Sequence, residues 1–210
     1  MALSKVVNNS IESVDAAKLT GTLPAISGAN LTNMAGGGAW TLINTAVASN
    51  SASLTITGLD STYDTYAISI ADLVPASDGP LVKFRVGDSS GVDTTSGDYN
   101  YHCSFVGETS ASYTAENSAS SDAVRFATLG VGNAAGEGVG AMIYITRPGD
   151  GTMWPTVTGT FTGVDGTPAM FGGTIHGARQ AVITLDRVQV LFSSGNISTG
   201  RMTVWGISHT

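Results

Sequence analysis

Residues 14–40, with the sequence VDAAKLTGTLPAISGANLTNMAGGGAW, constrain the fold more than any other part of the chain. Pro24 lacks a backbone donor and Gly28 lacks a side chain, so a helix through this stretch is not expected, and no alternating strand pattern is present. So thin a segment can bury large apolar side chains only between several copies wound around a shared axis, which predicts self-association. Four such side chains precede Met34, with glycine and proline between them: Leu19, Leu23, Ile26 and Leu31.

A run of three glycines, residues 36–38, predicts a hinge between two parts of the chain. Residues 1–38 are the predicted anchoring and self-association segment, and residues 39–210 are the predicted folded domain, long enough for one good core. Residues 1–13 are polar, and two interpretations stay open for them. They are either an attachment peptide that orders on contact with a larger structure or a frayed terminus.

Apolar and polar residues alternate from Trp40 onward, and residues 82–86 show a clean inside–outside strand. The pattern predicts about nine or ten strands, one of them at 182–185, and no convincing helix. Two long polar loops are expected at residues 87–98 and 107–122. The predicted fold is all-β, a jelly-roll-like antiparallel β-sandwich, and another sandwich topology is the alternative.

Two stretches near the ends of the chain resemble one protein family. LTGTLPAISGANLTN, residues 19–33, is similar to the linker of tailed-bacteriophage fibre proteins, in which Leu-Thr-Gly-x-Leu-Pro precedes Gly-x-x-Leu-Thr. DRVQVLFSSGNISTGRMTVWGISHT, residues 186–210, resembles the end of phage fibre and tail-tip proteins: a strand, a Ser-Gly-Asn turn and a strand closing in aromatic-Gly-Ile. The resemblance covers roughly 40 residues and contains no catalytic residue.

The resemblance implies a virion fibre or tail-tip protein that attaches the particle to a host surface without enzymatic activity. Its partners would be two further copies in a homotrimer, another virion protein held through residues 1–33, and a glycan or protein on the host. A purely structural virion protein, such as a capsid decoration or head fibre, is the alternative. A non-viral carbohydrate-binding module and an enzyme are the remaining function classes.

Charge and hydropathy limit the other partners of the chain. A net charge of −7 with nine Lys and Arg argues against nucleic-acid binding, which needs clustered cations. No apolar run approaches ~20 residues, so membrane insertion is not expected, and the N-terminus lacks the apolar core of a secretory signal. Without a signal we expect synthesis in the host cytoplasm, and the resemblance implies location in the virion. Cys103 is the single cysteine, so packing must hold the fold.

Three residues are candidate contacts with a receptor. Tyr113 and Asn117 lie in the second predicted polar loop, where an aromatic face and an amide can contact a sugar. Trp154 lies between Gly-Thr-Met and Pro155 and is expected at the edge of a loop. The alternative for Trp154 is a lid packed over the sandwich core. The threonines of residues 156–162 are expected to form a solvated or intersubunit face of a strand.

No cofactor or metal is expected. The three loop aspartates are five residues apart, which is not the spacing of a calcium loop, so a solvated loop is the better interpretation. The three histidines are far apart in sequence, whereas a zinc site needs three or four converging ligands. The residues concerned are Asp88, Asp93 and Asp98, and His102, His176 and His209.

Catalytic patterns are equally weak. There is no Gly-x-Ser-x-Gly elbow, so a nucleophilic hydrolase has no support. A glycosidase needs two carboxylates across a cleft, and the three glutamates expected in loops are not linked by any pattern: Glu108, Glu116 and Glu137.

Overall fold

The computed structural model of the chain describes residues 39–108, 112–146 and 151–208. The four predicted trimerisation residues, the rest of segment 1–38 and His209 lie outside the described residues. No helix in the described ranges has the length and hydropathy needed to cross a membrane. Thirteen strands occupy these ranges: β1 Trp40–Val47, β2 Leu54–Thr57, β3 Thr65–Pro75, β4 Val82–Asp88, β5 Gly91–Val92, β6 Tyr99–Gly107, β7 Thr114–Ser121, β8 Val124–Arg125, β9 Gly138–Thr146, β10 Thr156–Val164, β11 Met170–Arg179, β12 Arg187–Phe192 and β13 Ile197–Ile207.

The strands form two antiparallel sheets. The long sheet has the order β1-β13-β3-β9-β10-β11-β6-β7, and the short sheet has the order β2-β12-β4-β5, with β8 also paired to β4. Eight strands form the framework: β1, β2, β3, β4, β8, β9, β12 and β13. Numbered one to eight along the chain, they have the orders 1-8-3-6 and 2-7-4-5, which is the double Greek key of a jelly roll. The predicted fold class is therefore confirmed.

Two insertions widen the long sheet. Strands β10 and β11 follow β9 as a meander, and β6 and β7 add to the far side of β11. The inner faces of both sheets carry the buried apolar side chains, because alternate residues of each strand point to opposite faces. Ile68 and Ile143 of the long sheet and Phe84 and Val188 of the short sheet are fully buried in one continuous core.

The strands predicted for the alternating apolar segments are present. Three other predictions, for two loops and one short strand, are wrong. Residues 107–122 are not one polar loop, because residues 114–121 form the edge strand β7. Residues 182–185 are not a strand, although Leu185 is fully buried. Segment 87–98 contains the short strand β5. In β7 and β5 backbone pairing with β6 and β4 makes the strand, so apolar alternation is absent from their sequences.

Candidate functional site

The outer face of the long sheet, which points away from the core, carries an open groove. The groove has a volume of about 500 Å³ and lies across β3, β9 and β10. It is at the end of the sheet where β9 begins and β10 ends. Alternation along the strands places the exposed threonines of β10 on this face, as predicted for residues 156–162. The groove is lined by Asp72, Glu137, Gly138, Gly140, Thr162 and Met170, among others.

A β-bulge in β3 sets one end of the groove. The register of β3 against β9 shifts between Ile70 and Leu73, and Asp72 within this shift has a φ of 53°. A left-handed backbone is unusual for a residue other than glycine, although aspartate tolerates it better than most. Bulges commonly redirect a side chain beside a functional site. Here the bulge leaves the Asp72 side chain exposed at the groove.

Glycine at position 200 makes this bulge possible. Gly200 of β13 has a φ of 124°, and a Cβ at that position would lie 2.6 Å from the carbonyl oxygen of Asp72. A side chain at residue 200 would therefore collide with the backbone that carries Asp72. The close approach of the two strands holds the left-handed residue in place.

The floor of the groove is open because glycines lie where side chains would project outward. Gly140 of β9 pairs with Thr162 of β10, and Thr162 pairs with Gly172 of β11. A Cβ at Gly140 would meet its nearest atom, the carbonyl oxygen of Ile70, at 3.5 Å, which is ordinary contact. Packing therefore does not require glycine at position 140. Because Gly140 has no side chain, the floor of the groove stays open.

The groove offers oxygen acceptors and a limited apolar surface. Thr162 Oγ1 donates to the carbonyl oxygen of Phe171 at 3.2 Å, so its lone pairs remain for a ligand donor. Glu137 Oε2 accepts a hydrogen bond from Ala134 N at 2.7 Å, which holds this side chain at the rim. Met170 is 59% exposed. Carboxylates and a hydroxyl beside an exposed thioether suit an uncharged, hydroxyl-rich ligand better than an anion.

Among the predicted receptor contacts, Tyr113 lies on the row that continues the groove. Gly172 pairs with Val106 of β6. The preceding residue, Phe105, pairs with Thr114 of β7, so Tyr113, which precedes Thr114, comes next to Val106 if the register continues by one residue. Tyr113 is 68% exposed and Val106 is 41% exposed. An aromatic ring therefore lies four strands from Gly140, about 19 Å at the usual spacing between strands.

The other two predicted contacts lie elsewhere. Asn117 is exposed on β7 opposite His102, and Trp154 precedes β10 at the opposite end of the long sheet from Tyr113. Trp154 is 44% exposed, so it is not a lid buried over the core. The structure does not bring Tyr113, Asn117 and Trp154 together.

A second, smaller cleft lies between β7 and β8 and is lined by charged and hydroxyl side chains. Tyr101 Oη donates to Glu116 Oε1 at 2.9 Å, and Arg125 Nη1 lies 3.8 Å from the same oxygen. Burial, then the bond to Glu116, raises the pKa of Tyr101. Burial and the Glu116 carboxylate raise the pKa of Cys103 to about 11. Tyr101, Cys103 and Arg125 all lie against the Glu116 carboxylate, and Arg125 Nε is buried without a hydrogen-bond partner among the described residues.

The loop aspartates are hydrogen-bonded to, or ion-paired with, other protein groups. Asp93 and Asp98 pair with Arg179 of β11, and Asp88 accepts hydrogen bonds from Ser90. Within residues 39–108, 112–146 and 151–208, no group of three or more His, Cys, Asp or Glu side chains is arranged to hold a metal ion. The interpretation of Asp93 and Asp98 as solvated loop residues is wrong, because both carboxylates form ion pairs with Arg179.

The sequence predicted neither Asp72 nor the glycine floor. The signal for the floor was present as alternate glycines in β9, Gly138 and Gly140, because glycine inside a strand often marks a close approach of another molecule. The bulge that exposes Asp72 depends on the register between strands far apart in sequence.

Comparison of the chain with models of protein families, with curated proteins and with solved structures found no match.

Proposed function

We propose that this chain is a non-enzymatic virion attachment protein whose jelly-roll domain binds a neutral glycan on the host surface. The observation that carries the proposal is the glycine-floored groove on the outer face of the long sheet, with Asp72 at one end and Thr162 on its floor. The resemblance of residues 19–33 and 186–210 to phage fibre proteins supports the virion part of the proposal.

The chemistry of the groove favours sugar hydroxyls as ligand groups. The Asp72 and Glu137 carboxylates accept hydrogen bonds, and charge-assisted bonds are stronger than neutral ones. The same carboxylates repel phosphate, sulfate and acidic sugars. The Met170 side chain supplies an apolar contact at the rim, and Tyr113 offers a ring on which a more distant sugar of the same chain can stack.

A glycan-binding assay with matched variants tests the proposal. Gly140→Val places two methyl groups in the groove from a Cβ that makes only ordinary contact, and it should weaken binding at least tenfold. Asp72→Asn removes the charge but keeps a residue type that tolerates a left-handed backbone, and it should weaken binding about tenfold, as expected for loss of a charged hydrogen bond. Thr57→Val, on the exposed side of β2 in the short sheet, is the control and should bind like the parent chain.

Surface polysaccharides of candidate hosts and an array of neutral glycans are the probes. Binding by the parent and Thr57→Val, lost in Gly140→Val, supports the proposal. Equal binding by all variants moves the receptor site away from the groove. A parallel assay for released reducing ends tests the non-enzymatic part, because Asp72 and Glu137 both line the groove and hydrolysis would need two such carboxylates.

A purely structural virion role is the second candidate, and one surface favours it. The edge strand β1 exposes three large apolar side chains: Trp40, Leu42 and Val47. Trp40 also packs against Trp205 and Tyr144, with ring centroids 5.9 and 6.4 Å apart. Exposed apolar edges are prone to association, so this surface suits contact with another virion component.

A further inference from the structure

Two histidines that are 74 positions apart in sequence lie side by side on the outer face of the long sheet. His102 of β6 and His176 of β11 are direct partners in the antiparallel register. Directly opposed residues in such a pair have Cβ atoms about 4.5–5.5 Å apart. Both side chains are exposed, so a solute can reach both imidazole rings. Two histidines that are far apart in sequence are therefore neighbours in the sheet.

Each imidazole is bonded to a neighbouring hydroxyl through one ring nitrogen. His102 Nε2 lies 2.8 Å from Ser104 Oγ, and His176 Nδ1 lies 3.2 Å from Thr158 Oγ1. Ser104 is buried, so its position is fixed by packing. Histidines that bind metals commonly use the second nitrogen for such a bond, which orients the ring and sets the tautomer. This arrangement leaves His102 Nδ1 and His176 Nε2 for a metal ion.

We propose that His102 and His176 form an open two-histidine site for a borderline divalent metal ion of the Cu²⁺, Ni²⁺ and Zn²⁺ class. Imidazole nitrogen is a preferred ligand for these ions. The two remaining ring nitrogens belong to directly opposed residues of one register pair, so both lie on the same patch of the sheet. Water or a donor atom of another molecule completes the coordination, since no third His, Cys, Asp or Glu joins the pair in the described part of the chain.

The site is separate from the glycan groove. His176 pairs with Thr158, whereas the groove uses Thr162, four residues further along β10 and about 13 Å away at the usual rise of a strand. The neighbours of the pair in its row across the sheet are Thr158 and Asn117, both exposed and uncharged. No carboxylate in this row competes for the ion, so the two imidazoles determine which metal ion the site prefers.

Calorimetric titration of the intact chain, produced without a histidine tag, tests the site with CuCl₂, NiCl₂ and ZnCl₂ at pH 7.5. One ion per chain should bind, with Cu²⁺ tightest, as the general order of metal affinities requires. His102→Asn and His176→Asn should each weaken binding at least tenfold. Both positions are exposed, so neither variant should lower the melting temperature of the metal-free chain.

His209→Asn is the matched control, because it removes the third histidine of the chain and should leave binding unchanged. A second readout is the melting temperature, which metal should raise for the parent and for His209→Asn but not for the other two variants. The proposal is overturned if Cu²⁺ does not bind the parent, if binding survives in His102→Asn or His176→Asn, or if it is lost in His209→Asn.

Discussion

The hydroxyl group of Tyr99 forms hydrogen bonds with the backbone of Val86, at a point where, among the described residues, β4 has no neighbouring strand on that side. Tyr99 Oη accepts a hydrogen bond from Val86 N and donates one to Val86 O, both at 2.9 Å. Strand β8 covers β4 at residues 83–84 and β5 covers it at 87–88, so the backbone of Val86 lies between the two short strands. Tyr99 belongs to the long sheet, and its hydroxyl therefore joins the two sheets of the sandwich.

Replacing Tyr99 by phenylalanine should destabilise the domain. The change leaves Val86 N without its acceptor in a buried position, whereas Val86 O keeps the bond from Asp93 N, so the loss should be about 1–3 kcal/mol in the free energy of unfolding. Urea unfolding of the intact chain measures the loss. Tyr113→Phe removes a hydroxyl from an exposed ring and should change stability by no more than about 0.5 kcal/mol. Equal stability of the Tyr99→Phe chain and the parent would show that the bridge between the sheets contributes nothing.

The pairing of Asp122 with Lys83 and Arg85 should make stability depend on pH. Burial disfavours the charged form, but the hydrogen bonds from Lys83 and Arg85 outweigh it and hold the pKa of Asp122 below its usual value. The folded state therefore binds this proton more weakly than the unfolded chain. The resulting stability is fully present above the unfolded pKa of about 3.9 and is lost as the pH falls through the folded pKa.

Asp122→Asn isolates this contribution. At pH 7 the variant should lose about 1.5–3 kcal/mol, because Lys83 and Arg85 each lose a charged partner. The difference between variant and parent should shrink as the pH falls below 3.9, which urea unfolding at several pH values measures. Asp64→Asn, an exposed position before β3, is the control. A difference that stays constant down to pH 2 would contradict the assignment to the Asp122 charge.

The ion pairs of Arg179 should hold the segment between β4 and β6 against β11. Arg179 Nε lies 2.6 Å from Asp93 Oδ2, and its Nη2 lies 3.3 Å from Asp98 Oδ1. Arg179→Gln should lower the free energy of unfolding by about 1.5–3 kcal/mol and speed amide exchange across residues 91–98. Arg201→Gln alters an exposed arginine on β13 and serves as control. Unchanged exchange in the Arg179 variant would show that the segment is held by its backbone alone.

The N-terminal leucines should carry assembly. We expect the intact chain to be a homotrimer, and light scattering measures this directly. Leu23→Ala changes three copies at once, and a packed Leu→Ala change costs on the order of 2–5 kcal/mol, so the trimer should weaken while the jelly roll stays folded. Ala25→Ser, in the same segment, is a mild control. A monomeric parent, or a Leu23→Ala chain that assembles and melts like the parent, would contradict the prediction.

Alternation of apolar residues was sufficient to predict most of the fold. Val82, Phe84 and Val86 are buried as their period of two requires, and so are Tyr99 and Cys103. Strand β7 escaped prediction because its sequence, TAENSASS, lies at an edge and buries only its last residue. Its pairing with β6 comes from backbone groups, which leave no signal in side-chain chemistry.

The candidate sites were harder to predict because they depend on register between distant strands. His102 and His176 meet only because β6 pairs with β11, and no local spacing reports that pairing. Asp72 becomes exposed through a bulge that also requires Gly200. Tyr113, by contrast, was predicted as a candidate contact from its polar surroundings, and its role stays a prediction.

The location of the protein on the virus particle tests the central claim most directly. Antibody labelling of purified particles, viewed by electron microscopy, should place the protein at the tail end, where contact with the host begins. Antibody adsorbed with the purified protein controls for non-specific labelling. Label at the tail tip or on tail fibres is the predicted result, and label confined to the head, or absent from intact particles, would contradict the proposed attachment function.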